Sequence, residues 1–76
     1  MDQGDAKLIR MANQIATFMA SKPEAEGVTG LAGHINDFWD PRMRGRLLDH
    51  LARGGAGLAP MVIAAAPLIR PPAGTP

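Results

Sequence analysis

An apolar ladder that occurs twice constrains the fold more than any other feature of this sequence. In both copies, hydrophobic residues recur at the i, i+3, i+4, i+7 spacing of an amphipathic helix. The copies consist of Leu8, Met11, Ala12, Ile15, Phe18 and Met19, and of Val28, Leu31, Ala32, Ile35, Phe38 and Trp39. The pattern predicts two helices, over about residues 5–20 and 22–39, that pack their ladders into one core.

The second helix has a recognisable start. Ser21 and Glu24 have the spacing of a capping box, in which the Ser21 hydroxyl accepts a hydrogen bond from the Glu24 amide. Pro23 then falls in the first turn, where its missing N–H costs little. The helix also contains three glycines, Gly27, Gly30 and Gly33. Glycines at this density either loosen the first turns or let a neighbouring helix approach closely, and loosening is the commoner outcome.

Two proline-containing boundaries predict the remaining elements. Asp40 before Pro41 ends the second helix and caps a third, over about 41–53, which Gly54 and Gly55 terminate. A fourth, short helix is expected over about 60–66, although Ala59 before it is a poor cap. The proline-rich tail, residues 67–76, has no periodicity and is expected to be disordered.

These elements define an all-α fold. No run of alternating apolar and polar residues suggests a strand. The prediction is a small bundle of three main helices plus a short fourth helix, forming a single domain over residues 1–66, with a disordered tail.

Composition narrows the function. The 76 residues contain no cysteine and only two histidines, and neither histidine has a second ligand at metal-binding spacing. No activated serine or acid–base pair is apparent, so we expect no catalytic site, metal or cofactor. Without a signal peptide or a long apolar run, the chain is expected to be cytoplasmic, with no membrane contact. A domain this small commonly gains stability from a partner.

Arg44 is the most informative polar residue. On a helical wheel it falls inside the apolar arc of the third helix, whereas Arg42, Arg46 and Arg53 form a stripe on the opposite side. An arginine in an apolar arc must extend past the helix end or meet a carboxylate or carbonyl groups. Two interpretations remain open: an internal pairing with Asp37 or Asp40, or an anchor in a partner interface.

The first helix has a wide apolar face. Ile9 and Ala16 extend the ladder beyond the arc that one neighbouring helix normally covers, and Asn13 and Gln14 flank the widened face. This face either packs against the third or fourth helix or serves as a docking strip. The sequence favours neither alternative.

Several segments, taken together, resemble the delta subunit of NAD-dependent formate dehydrogenase. They span about residues 7–66, and the Phe-Trp-Asp-Pro-Arg-Met-Arg stretch is the most specific. The matching positions are 10–15, 34–35, 38–44, 47–48, 50–51 and 57–58, together with Pro60 and Val62. The resemblance implies a small non-catalytic subunit of a cytoplasmic molybdenum- or tungsten-containing oxidoreductase complex. It implies that the catalytic alpha subunit is the partner and that the cofactors belong to the other subunits.

The predicted interface combines the resemblance with the helical wheels. It consists of Asn13 and Gln14 on the first helix, and of Trp39, Arg42 and Arg44 where the second helix meets the third.

An alternative is a general adaptor or a nucleic-acid-binding module, with Arg42, Arg46 and Arg53 on phosphates. The charge distribution disfavours nucleic acid. The formal net charge is only +1, and residues 1–40 contain three basic and six acidic side chains.

Overall fold

A computed structural model describes residues 3–72 of the chain, with side chains from Asp5 onwards. This part is helical and contains no strand, which confirms the all-α prediction. Four α-helices are followed by one turn of 3₁₀-helix: α1 Gln3–Met19, α2 Glu24–Phe38, α3 Pro41–Ala52, α4 Pro60–Ala65 and the 3₁₀ turn Ala66–Leu68. The observed bounds lie within two residues of the predicted ones.

The core lies where α2 packs against α1 and α4, and α3 packs against α1. Its largest fully buried side chains are Leu31, Ile35, Leu47 and Val62. Burying a side chain of this size contributes about 1.5–3 kcal/mol relative to leaving it exposed. Leu47 of α3 and Val62 and Ala65 of α4 join residues of the two ladders in a single core.

The capping box predicted at Ser21 is wrong. Helix α2 begins at Glu24, its N-cap residue is Pro23, and no side chain caps it. The Ser21 hydroxyl instead donates to the carbonyl oxygen of Phe18 at 3.4 Å, while the Lys22 amide donates to the carbonyl of Met19. Ser21 thus belongs to the turn that closes α1, because these hydrogen bonds direct it back towards the preceding helix.

The boundary at Asp40 is confirmed. The Asp40 carboxylate accepts from the Met43 amide at 2.8 Å, and Pro41 occupies the first helical position of α3. At the other end of α3, Gly54 and Gly55 have positive φ angles of 115° and 66°, which glycine adopts readily.

Gly27 in α2 has the less common of the two expected effects, a close approach of neighbouring segments. The helix is continuous from Glu24, so its glycines do not loosen its first turns. A Cβ atom at Gly27 would lie 3.0 Å from the carbonyl oxygen of Met19 and from the Met61 side chain. Gly27 therefore permits the close approach of both chain segments.

Residues 67–72, the first six of the predicted tail, pack against the helices. Ile69 is 4% exposed and belongs to the core. The Asn36 side chain donates to the carbonyl of Leu68 at 3.0 Å and accepts from the Arg70 amide at 2.8 Å. We call residues 66–72 the C-terminal strap, because α2 holds this segment across the core. Residues 73–76 of the predicted tail lie outside the described residues.

Candidate functional site

An open groove between α1 and α2 is the main candidate for a functional site. Its volume is about 420 Å³. The lining side chains are predominantly apolar: Met11, Gln14, Ile15, Phe18, Met19, His34 and Trp39. We call this the aromatic groove.

Two phenylalanines of the repeated ladder are exposed instead of lying in the core, and one of them, Phe18, lines this groove. Phe18 is 71% exposed and Phe38 is 75% exposed, which corrects the prediction that both ladders are fully internal. On the wheel of α1, Phe18 lies about 80° from the buried Leu8, whereas Phe38 points close to the direction of the buried Leu31 but is the last residue of α2. The His34 ring, which lines the groove, packs on Phe38 with ring centroids 4.8 Å apart. Neighbouring exposed aromatic side chains of this kind are characteristic of interaction sites.

Trp39 forms part of the groove while remaining 5% exposed. Beside it, Met11 and Met19 contribute partly buried, flexible side chains. Methionine adapts its shape to different contacts, and tryptophan is frequently an energetic centre of protein interfaces. The groove therefore combines one rigid aromatic residue with adaptable neighbours.

A basic end continues the groove along α1. A second depression of about 390 Å³ adjoins the aromatic groove at Met11, which lines both. It is lined by Lys7, Leu8, Met11, Arg42, Met43 and Arg46. Arg46 is paired with Asp5 at 2.8 Å, whereas Lys7 and Arg42 are exposed. The positive charge of this end therefore comes mainly from Lys7 and Arg42.

The predicted interface residues fall into two groups. Gln14 and Trp39 line the aromatic groove, and Arg42 lines its basic end. Asn13 and Arg44 instead make hydrogen bonds within the chain.

Asn13 connects α1 to the start of α4. Its side chain accepts from the Ala59 amide at 2.8 Å and donates to the carbonyl oxygen of Gly57 at 2.9 Å. Ala59 supplies no side-chain cap to α4, as its sequence predicts. The Asn13 side chain therefore holds the end of the loop between α3 and α4 in place, where α4 begins.

Replacing Asn13 with alanine should lower the free energy of unfolding by about 1–3 kcal/mol, because the part-buried Ala59 amide loses its acceptor. Asn13→Asp keeps that acceptor but places a carboxylate oxygen, which cannot donate, against the Gly57 carbonyl oxygen, so it should be destabilised as well. Chemical denaturation of the three proteins measures both effects. If Asn13→Ala were as stable as wild type, the amide would not depend on this hydrogen bond.

Arg44 binds backbone carbonyl groups. It does not pair with Asp37 or Asp40, the carboxylates of the internal-pairing interpretation. Its guanidinium donates to the carbonyl oxygen of Trp39 at 2.8 Å and to that of Arg70 at 3.0 Å. Arg44 therefore ties the end of α2 to the C-terminal strap. Asp37 lies 3.9 Å from the Arg70 guanidinium instead.

The wide apolar face of α1 is covered by the chain itself. Ala16 is 5% exposed, and Ile9 packs against the core near Gly57. This face is therefore internal, and the open apolar surface of α1 is the one that carries Phe18.

The groove and its basic end include residues that the sequence analysis did not assign to a site, namely Lys7, Phe18 and His34, and Phe38 packs on His34. The available signal was the position of Phe18 at the edge of its apolar stripe and of Phe38 at the end of its helix.

Within residues 3–72, no three histidine, cysteine, aspartate or glutamate side chains are grouped so that they could hold a metal ion. The same part of the chain has no helix with the length and hydrophobicity needed to cross a membrane.

The fold and the groove define a small all-helical protein with an open apolar surface between its first two helices. The family model described as NADH-dependent formate dehydrogenase delta subunit FdsD matches residues 7–66, and the chain belongs to this family. The match ends where the C-terminal strap begins. No significant match was found among curated proteins.

Proposed function

We propose that this chain is a non-catalytic accessory subunit that binds the catalytic subunit of a cytoplasmic formate dehydrogenase and supports its assembly, cofactor loading or stability. The observation that carries this proposal is the aromatic groove, in which the exposed Phe18 lies with the buried Trp39, and beside which the exposed Phe38 packs on His34. Family membership supplies the identity of the complex. The molybdenum or tungsten cofactor would belong to the partner.

The apolar surface that the open groove exposes to water is unfavourable in free energy, which supports the proposal that a partner covers it. Each phenylalanine presents a large apolar surface to water, and covering it contributes about 25 cal/mol per Å² of buried area. Partner contact would also add stability to a chain of 76 residues, whose own core is small.

Three of the predicted interface residues, Gln14, Trp39 and Arg42, would contact the partner directly in this proposal. Asn13 and Arg44 would act by holding the connections around the groove in place, since both are hydrogen-bonded within the chain.

Nucleic-acid binding is less well supported. It would use Arg42, Arg46 and Arg53 on phosphates, but Arg46 is already paired with Asp5 at 2.8 Å. That pairing would have to break for Arg46 to contact a phosphate.

Co-expression with the catalytic subunit tests the proposal. We expect the two chains to elute together in size-exclusion chromatography. Omitting this chain should lower the yield of soluble catalytic subunit or its molybdenum or tungsten content. Separate elution at micromolar concentrations, together with an unchanged yield and metal content, would contradict the proposal.

A further inference from the structure

The geometry points to an amphipathic helix of the partner subunit as the occupant of the groove, with acidic side chains at the end that faces Lys7 and Arg42. This inference rests on the proposed function and adds the kind of segment that is bound and its orientation.

The dimensions of the groove fit a short helix. Its lining extends along α1 from Lys7 at the basic end to Met19 at the aromatic end. Twelve helical residues separate these positions, which corresponds to about 18 Å, or about three helical turns. A partner helix of similar length would lie beside α1 and present one apolar stripe to the groove.

The walls of the groove favour a helix over an extended segment. They are formed mainly by side chains of α1, α2 and α3, whose backbone amides and carbonyls are hydrogen-bonded within the helices. An extended peptide would place its own backbone polar groups against this apolar lining without partners, which is costly. A helix satisfies its backbone internally and inserts only side chains, as in other helix-in-groove complexes.

The charges give the bound helix a direction. Lys7 and Arg42 are both exposed at the basic end, while the neighbouring Arg46 is neutralised by Asp5. At the opposite end the groove is lined by Phe18 and Met19. Complementary charge raises association rates and fixes the register of an interface. An occupant with acidic residues at one end and apolar residues at the other therefore matches this surface in only one orientation.

Charge reversal separates this inference from the proposed function. The variant Lys7→Glu/Arg42→Glu should bind the purified catalytic subunit about tenfold or more weakly at low ionic strength, because two attractive charges become repulsive. The wild type should lose affinity as salt is added, and the variant should not. Lys22→Glu/Arg53→Glu makes the same change in net charge at exposed positions outside the groove and should bind like the wild type.

If the wild type binds and both double variants bind equally well, the inference is wrong and the proposed function stands. If the wild type itself fails to bind, the proposed function is wrong. A dimer of the isolated chain that Phe18→Ala/Phe38→Ala dissociates would also overturn the inference, since a second copy would then be the occupant.

Photo-crosslinking identifies the bound segment. With Phe18→benzoylphenylalanine in the purified complex, we expect crosslinks to one helical segment of the catalytic subunit that has apolar residues at i, i+3 or i+4 and i+7 and acidic residues at one end. Crosslinks to a strand or to a segment without acidic residues would contradict the inference.

Discussion

The substitution Ile69→Ala is expected to lower the free energy of unfolding by about 2–4 kcal/mol. Ile69 is 4% exposed and lies in the core, although it belongs to a proline-rich segment. Removing its side chain leaves a cavity that the surrounding side chains fill only in part. Because small domains are stable by only about 5–15 kcal/mol, this loss would be a large share of the total.

The neighbouring residue provides a matched control. Leu68 is 50% exposed, so Leu68→Ala should cost less than about 1 kcal/mol. Urea unfolding followed by tryptophan fluorescence suits this comparison, because Trp39 is the sole tryptophan and is 5% exposed. Equal losses for the two variants would show that the C-terminal strap does not pack as the structure has it.

Local patterns predicted the helices because the signals lie within each element. The ladder spacing located α1 and α2, and Asp40 with Pro41 located the start of α3. At Ser21 the local pattern did not predict the structure. Its spacing to Glu24 fits a capping box, but its hydroxyl donates to the carbonyl oxygen of Phe18. Two local structures compete for one hydroxyl group, and the sequence pattern describes only one of them.

The C-terminal strap could not be predicted because long-range contacts hold it. Asn36 bonds to Leu68 and Arg70, which follow it by more than thirty positions. Arg44 adds a hydrogen bond to the carbonyl of Arg70. Proline content indicated that the segment would not form a long helix, but it did not indicate whether Ile69 would find a place in the core.

The groove was predictable only in part, because its shape depends on how the helices pack. The sequence assigned Phe18 and Phe38 to apolar ladders, and both do lie on the helices predicted there. Whether a residue at the edge of such a ladder is covered depends on the adjacent helix. Here α3 and α4 cover other faces, and the side that carries Phe18 stays open.

The double substitution Phe18→Ala/Phe38→Ala should reduce affinity for the catalytic subunit by about 100-fold or more, equivalent to about 3 kcal/mol. The effect on stability should be small, because the two side chains are 71% and 75% exposed. Alanine also preserves helix propensity in α1 and α2. The loss should therefore appear in binding and not in folding.

Other exposed apolar residues give the control for this variant. Ile63 and Leu68 are 47% and 50% exposed and do not line the groove. Ile63→Ala/Leu68→Ala removes a comparable apolar surface elsewhere and should leave affinity within a factor of about two. A general loss of surface hydrophobicity would weaken both double variants alike.

The most direct test of the central claim is calorimetric titration of the catalytic subunit with the wild-type chain and with these two double variants. We expect the wild type and Ile63→Ala/Leu68→Ala to bind with similar affinity, and Phe18→Ala/Phe38→Ala to bind at least about 100-fold more weakly. Equal affinity of all three proteins would contradict the claim that the aromatic groove is the binding surface of this subunit.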